Sequence, residues 1–476
     1  MPGFHVKHFG CRAARADGEA LSSRLRAAGH CAQQPGDADV IVVNTCSVTA
    51  EADRAARAYI RRAHRLNPEA RILVTGCYAQ RAPEELASLA GVAAVVGNSH
   101  KAMAPDIALE LAKNDLKQRA DPTPELVSVQ SLLSASPNAP VWVDDRFAHS
   151  FLEEVPLLAG EQTRPNLKIQ EGCGNRCTFC VIPQTRGPSR SLAGADILRH
   201  IREFVAGGGH ELVLSGINLG RWGHDLAAKG ETAGSTLAAL VREILTKTLL
   251  PRLRLSSIEP MDWNTELIAL MREYGGTRLA RHAHLPLQSG SDAVLRRMHR
   301  RYRPWHYQEK VAALFDAAGP DLTLGADVMA GFPGETDAEF EETLEFIRAL
   351  PFAYLHLFPF SPRPGTPGWQ LHAENPVAPK TMEERMTALR TLAAEKTQAH
   401  RERFIGRELD AVTLHAPAVL AAQSRTLALT ENFLPVELES RLPANRLLRV
   451  RVRGLNADAV LECCPADASL LDSAVR

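Results

Sequence analysis

Lys168-Ile-Gln-Glu-Gly-Cys173-Gly-Asn-Arg-Cys177-Thr-Phe-Cys180-Val-Ile-Pro183 decides how the rest of this chain is read. The apolar, strand-like run Leu167 to Gln170 ends in a loop whose three cysteines are separated by three and then two residues. A thiolate triad this compact calls for a metal or a cluster. A disulfide between Cys177 and Cys180 would leave an odd thiol, and disulfides are rare in chains without a secretory signal. Structural zinc takes four protein ligands, and no fourth Cys or His follows at zinc-like spacing, which counts against the plainer alternative of a zinc loop. A 4Fe–4S cluster held by three thiolates leaves one iron open to a further ligand.

Working outward, 476 residues predict about three domains. A composition of 45% hydrophobic and 23% charged residues is that of a globular protein. Lys+Arg and Asp+Glu both number 55, so any grip on nucleic acid must come from local patches rather than from the net field. No run of about 18 apolar residues offers a membrane span. Met1-Pro-Gly-Phe-His lacks the layout of a signal peptide, which predicts a cytoplasmic protein with reduced thiols.

Upstream, three short apolar segments each lead into a cysteine: Phe4 to Cys11, Val40 to Cys46 and Arg71 to Cys77. Helical stretches separate them, notably Glu51 to Leu66, and Val92 to Val96 fits a further strand. Alternating strands and helices predict a parallel α/β sheet, whose ligands gather at the carboxyl ends of the strands. That rule brings Cys11, Cys46 and Cys77 to one sheet edge, although they are far apart in sequence. One such cysteine would be an ordinary buried thiol; three together favour a second cluster. Cys31 has no such partners. From about residue 116 to 160 the pattern weakens into Pro-rich, linker-like sequence, including Asp121-Pro-Thr-Pro and Ser134-Ala-Ser-Pro, with Val141-Trp-Val a candidate short strand.

Downstream, strand-then-helix units repeat. The candidate strands are Leu167–Gln170, Glu211–Leu214, Leu253–Ser257, His282–Leu287, Thr323–Val328 and Tyr354–Phe358. Six units are two short of a closed eightfold barrel, so an open partial barrel is expected, with its site at the C-terminal strand ends. Met382 to Phe404 reads as one long helix. Beyond it, Leu409–Leu414, Thr426–Leu429, Leu434–Glu439, Leu447–Val452 and Ala459–Glu462 predict a small antiparallel β-barrel. Arg449, Arg451 and Arg453 alternate along one of these strands and so share a face. Such a face is either a charged edge that blunts aggregation or a grip for RNA phosphates. Cys463 and Cys464 have no third partner.

With both triads in view, nearly the whole chain resembles a radical S-adenosylmethionine methylthiotransferase. The expected architecture is α/β: an N-terminal parallel α/β domain (1–115), a linker (116–160), a radical partial (β/α)6 barrel (161–402) and an all-β TRAM-like RNA-binding barrel (403–470). Within the family, Asn44-Thr-Cys46-Ser-Val-Thr49, Val74-Thr-Gly-Cys77-Tyr-Ala-Gln80 and Gln170-Glu-Gly-Cys173 resemble the branch that acts on N6-threonylcarbamoyladenosine in tRNA. The isopentenyladenosine branch usually carries Arg-Glu where this chain has Val48-Thr49. The family also usually carries Asn where this chain has Ala14.

The resemblance implies that Cys173, Cys177 and Cys180 bind the radical 4Fe–4S cluster and that Cys11, Cys46 and Cys77 bind an auxiliary 4Fe–4S cluster. It implies reductive cleavage of S-adenosylmethionine, methylthio transfer to C2 of the modified adenosine beside the anticodon, and an electron donor such as flavodoxin or ferredoxin. Gly208, Gly209, Glu211, Ser257, Glu259 and Gln288 are the expected S-adenosylmethionine contacts, and Arg449, Arg451 and Arg453 the expected RNA contacts. No protein acid or base is singled out. Alternative readings keep the chemistry but act on isopentenyladenosine or a ribosomal protein, or take the chain as a non-catalytic iron–sulfur RNA-binding protein. The polar ends of all six barrel strands speak against the last.

Overall fold

Strands of β-branched residues whose side chains alternate between two apolar layers build the N-terminal third. The computed structural model describes residues 2–112, 138–147, 163–228, 236–456 and 460–466. Two compact units emerge: Met1–Pro156 with Glu171–Arg190 and Ser361–Trp369, and Leu157–Gln170 with Ser191–Phe360 and Gln370–Arg476. The cysteine loop quoted above therefore groups with the N-terminal sheet, although the sequence boundary at 161 sets it with the barrel.

The first unit holds a six-stranded parallel sheet of β1 (Gly3–His8), β2 (Cys31–Ala32), β3 (Val40–Thr45), β4 (Arg71–Gly76), β5 (Val92–Gly97) and β6 (Val141–Trp142), in the order β2-β1-β3-β4-β5-β6. Ile41, Val43, Ile72 and Val74 face Ala56, Ile60 and Ala63 of the helix Ala50–Leu66. Val40, Val42, Leu73 and Val96 face Leu21 and Leu25 of the helix Arg12–Ala27 and Ile107 and Leu111 of the helix Ala104–Ala112. Helices on both faces explain why β3 is buried along its whole length. Thr49 caps the helix Ala50–Leu66 by accepting the Ala52 N–H at 3.2 Å. Cys31, which the sequence leaves without a role, lies in the edge strand β2, and the candidate strand at Val141 pairs with β5 through Val141–Trp142. Asp121-Pro-Thr-Pro and Ser134-Ala-Ser-Pro lie outside the described residues.

In the second unit, β7 (Asn166–Glu171), β8 (Arg190–Ser191), β9 (Glu211–Gly216) and β10 (Arg252–Leu255) form a sheet in the order β10-β9-β7-β8. A second sheet joins β11 (His282–His284), β12 (Thr323–Ala330) and β13 (Tyr354–Pro359) in parallel register. Hydrogen bonds from Leu253 N–H to the Arg278 carbonyl (2.8 Å) and from Ile258 N–H to the His284 carbonyl (3.1 Å) carry the curve from β10 to β11. The six expected strands are thus the six parallel staves of a partial barrel.

The C-terminal module is a closed barrel of β14 (Glu408–Thr413), β15 (Thr426–Thr430), β16 (Pro435–Leu438), β17 (Leu447–Leu455) and β18 (Leu461–Pro465), ordered β14-β15-β16-β18-β17. Leu409, Val436, Val450 and Leu461 fill it. The expectation of a purely antiparallel barrel is corrected: β16 and β18 run parallel. A ring with an odd number of strands cannot alternate direction all the way round, so one parallel seam is unavoidable.

Candidate active site

In the first unit, Cys11, Cys46 and Cys77 follow the carboxyl ends of the neighbouring strands β1, β3 and β4. Cys46 and Cys77 are buried and Cys11 is exposed. Burial, with Cys77 and Cys11 beside it, pushes the Cys46 thiol up to about 12. Three thiols crowded this way repel one another as thiolates, a repulsion that bound iron relieves. Gly10 (φ +100°) is demanded by the approach: a Cβ there would sit 2.6 Å from Cys46 Sγ. Asn98 Nδ2 donates to Cys77 Sγ at 3.5 Å.

Arg186 is the residue that sequence reasoning missed. It ends the short helix Ile182–Arg186 that follows the second triad, yet its Nε donates to Cys77 Sγ at 3.2 Å. The same guanidinium reaches Glu171 at 2.5 Å and Asp17 at 3.3 Å while only 1% exposed. Burial alone would favour its neutral form, but Cys77, Glu171 and Asp17 hold it firmly charged. The arginine therefore ties the loop of one triad to a ligand of the other and sets positive charge beside the thiols. Asn98 Nδ2 adds a second tie to that helix through the Thr185 carbonyl (2.8 Å).

Cys173, Cys177 and Cys180 lie in one partly exposed loop. The Cys173 N–H donates to the Gly187 carbonyl and the Cys180 N–H to the Cys177 carbonyl, both at 3.1 Å, which folds the loop back on itself. Gly172 (φ +73°) permits the fold, because a Cβ there would lie 2.0 Å from the Pro188 carbonyl oxygen. The Asn175 N–H points at Cys173 Sγ (3.4 Å). Arg363 Nη1 donates to Asp53 (2.6 Å) and to the Ser47 carbonyl (3.5 Å), pinning the Ser361–Trp369 segment to the turn after Cys46 and the helix that follows it. Soft thiol donors, with N–H groups directed at the Cys77 and Cys173 sulfurs, suit iron–sulfur clusters at both triads.

In the second unit the expected S-adenosylmethionine contacts fall at two different ends of the strands. Ser257 and Glu259 lie just beyond the end of β10, and Gln288 beyond the end of β11. The Glu259 carboxylate accepts from Arg300 at 2.5 Å. Gln288 holds φ +64° and its N–H donates to the Asp327 carbonyl at 2.7 Å. Gly208, Gly209 and Glu211 lie instead at the opposite end, before and at the start of β9. Gly208 and Gly209 donate to the Val205 and Phe204 carbonyls (2.9 and 3.0 Å), closing the helix Gly194–Ala206. Glu211 opens β9, fully buried, and accepts from Arg164 (2.6 Å), Arg254 (2.8 Å) and Arg252 (3.3 Å), which hold its carboxyl far below the usual range against the opposing pull of burial. It is a structural anchor. Near the ends of β7 and β9, Gln170 and Asn218 are joined by a 2.7 Å bond from the Asn218 N–H to Gln170 Oε1.

Arg449, Arg451 and Arg453 do share the exposed face of β17, each with 57–59% of its side chain open. Each also has a carboxylate partner: Asp410 at 3.5 Å, Glu408 at 2.5 Å and Glu439 at 3.3 Å respectively. The face is a ladder of mixed charge.

Residues 3–97 match Uncharacterized protein family UPF0004, and residues 167–347 match the Radical SAM superfamily. The threonylcarbamoyladenosine tRNA methylthiotransferase MtaB of Aquifex aeolicus is 34% identical over 445 residues, covering 93% of this chain and 98% of that one. The tRNA-2-methylthio-N(6)-dimethylallyladenosine synthase of Sphingopyxis alaskensis is 34% identical over 411 residues, covering 85% of each. Among solved structures, the radical S-adenosylmethionine methyltransferase TsrM from Kitasatospora setae aligns with a TM-score of 0.51 at 15% identity, covering 79% of this chain and 75% of that one, a likeness of fold alone. Partial barrel and cysteine loop thus define a radical S-adenosylmethionine enzyme. The chain belongs to its methylthiotransferase family, whose cofactors are S-adenosylmethionine and two 4Fe–4S clusters. Among the described residues, no helix is long and apolar enough to cross a membrane.

Proposed function

We propose that this protein places a methylthio group on C2 of N6-threonylcarbamoyladenosine beside the anticodon of tRNA. The observation that carries the chemistry is the pair of cysteine triads in one compact unit, linked through Arg186. The branch is supported by the sequence around Cys46 and Cys77 and by the fuller alignment of the threonylcarbamoyl relative, 93% of this chain against 85% for the dimethylallyl one.

When bound, the clusters and S-adenosylmethionine supply the one-electron and sulfur chemistry. The chain's own share is to hold and shield them. Cys173, Cys177 and Cys180 are the ligands of the radical site, with Ser257, Glu259 and Gln288 at the strand ends for S-adenosylmethionine. Cys11, Cys46 and Cys77 are the ligands of the sulfur-supplying site. Residues 1–115 serve as the methylthiotransferase domain, 161–402 as the radical domain and 403–470 as the tRNA-binding module. The work is cytoplasmic, with a flavodoxin- or ferredoxin-type electron donor. Nucleosides from a deletion strain, separated and weighed by mass spectrometry, should lack the 2-methylthio form of threonylcarbamoyladenosine and keep that of isopentenyladenosine. The reverse pattern would move the protein to the sister branch.

A second expectation concerns tRNA grip. Exposed ion pairs contribute only about 0–1 kcal/mol each, so phosphates can displace Glu408, Asp410 and Glu439 from the β17 arginines. Replacing Arg449, Arg451 and Arg453 together with Glu should weaken tRNA binding and flatten its salt dependence by a slope of roughly 0.7–0.9 per lost contact. An unchanged salt slope in filter binding would remove this face from the interface.

A further inference from the structure

We propose that His284, Asp327 and His356 form a binding site for one divalent transition-metal ion of the zinc class, distinct from the iron–sulfur ligands. Three adjacent parallel strands deliver the donors. His284 ends β11 opposite Gly325 of β12, and Asp327, two residues on from Gly325 and so on the same face, lies opposite His356 of β13. Asp327 Oδ1 is 3.2 Å from His284 Nε2 and 3.2 Å from His356 Nδ1, and all three ligand atoms lie within 4.8 Å of one another. With zinc–ligand bonds of about 2.0–2.1 Å, the edges of a tetrahedral site are roughly 3.3–3.4 Å long, so these donors already stand near coordinating separations.

The donor types agree. Two imidazoles and one carboxylate suit zinc and its neighbours in the first transition row, whereas calcium and magnesium prefer oxygen-only shells. The surroundings agree as well. The Tyr354 hydroxyl sits 3.0 Å from His284 Nδ1 and 2.8 Å from His282 Nε2, engaging the His284 nitrogen that does not face Asp327. Such outer partners orient metal-binding imidazoles. The His284 side chain is 8% exposed, that of Asp327 24% and that of His356 55%, so an ion enters from the His356 side and keeps open positions there for water or another oxygen donor. Among the described residues this is the one group of His, Cys, Asp or Glu side chains that converges so closely.

The competing arrangement is a hydrogen-bonded trio in which both imidazoles donate to one carboxylate oxygen and no ion enters. The test uses cluster-loaded protein prepared anaerobically, incubated with a tenfold excess of zinc sulfate, desalted, and analysed for iron and zinc by mass spectrometry. The expected result is about one zinc per chain with the iron content unchanged. Asp327→Asn and His356→Ala should each bind zinc at least tenfold more weakly while retaining their iron. Zinc uptake equal to wild type in both variants, or none in wild type, overturns the site. Should the variants fold poorly, the wild-type zinc absorption edge still decides: a nitrogen and oxygen shell near 2.0–2.1 Å supports it, and a sulfur shell near 2.3 Å overturns it by placing the zinc on cysteines. Iron content reports on the clusters separately, so failure here leaves the methylthiotransferase reading standing.

Discussion

Replacing Cys46 with alanine should abolish methylthio transfer while leaving reductive cleavage of S-adenosylmethionine in place. Cys46 follows β3 directly, beside Cys77 and Cys11, and a cluster at that triad loses one of three ligands when it is removed. Cys173, Cys177 and Cys180 sit in a separate loop that this substitution does not touch. The measurement pairs two products in one anaerobic reaction: 5′-deoxyadenosine, expected to persist, and the methylthiolated nucleoside, expected to fall below detection. Iron analysis gives the companion result. Wild-type protein should carry about eight irons and the Cys173/Cys177/Cys180 triple alanine variant about four. Full product formation by the Cys46 variant would sink the assignment of the sulfur-supplying site, and stoichiometric zinc with little iron would sink both triads as cluster sites.

Arg186→Met should lower stability by about 3–5 kcal/mol, the usual cost of removing one partner from a buried ion pair. The methionine would leave Asp17 and Glu171 facing each other and the Cys77 sulfur in a buried pocket with no cation opposite Arg186's former position. Lys101 also pairs with Asp17, so Glu171 should carry more of the unmet charge. At about 2–4 °C per kcal/mol for a unit of this size, the first thermal transition should drop by roughly 6–20 °C. Adding Glu171→Gln should restore part of the loss, because it removes the stranded carboxylate; Arg186→Lys keeps the charge but not the fork that serves Cys77, Glu171 and Asp17 at once. The two variants separate charge from geometry: a Lys that holds stability yet shifts the reduction potential of the cluster at the Cys77 triad would assign the N–H to sulfur bond to tuning. A Met variant within about 1 kcal/mol of wild type would show that the arginine is not needed to hold this site.

The cysteine spacing, the strand-end placement of Cys11, Cys46 and Cys77, the six staves and the five-stranded tail were legible in the sequence because each is a local matter. Short apolar runs, a three-then-two spacing and a cysteine within a few residues after each strand are properties of nearby residues in the chain. What the sequence could not settle were matters of partnership. Glu211 looks like a ligand until β10 brings Arg252 and Arg254 beside it and Arg164 closes over it. Arg449 and Arg451 look like a free basic face until β14 sets Asp410 and Glu408 in register with them. Arg186 meets Asp17 across 169 positions of chain, and His284, Asp327 and His356 meet only through the register of three strands. Charge and metal affinity depend on distances of a few ångströms, and those are decided by strand order and pairing, which no local run of residues encodes.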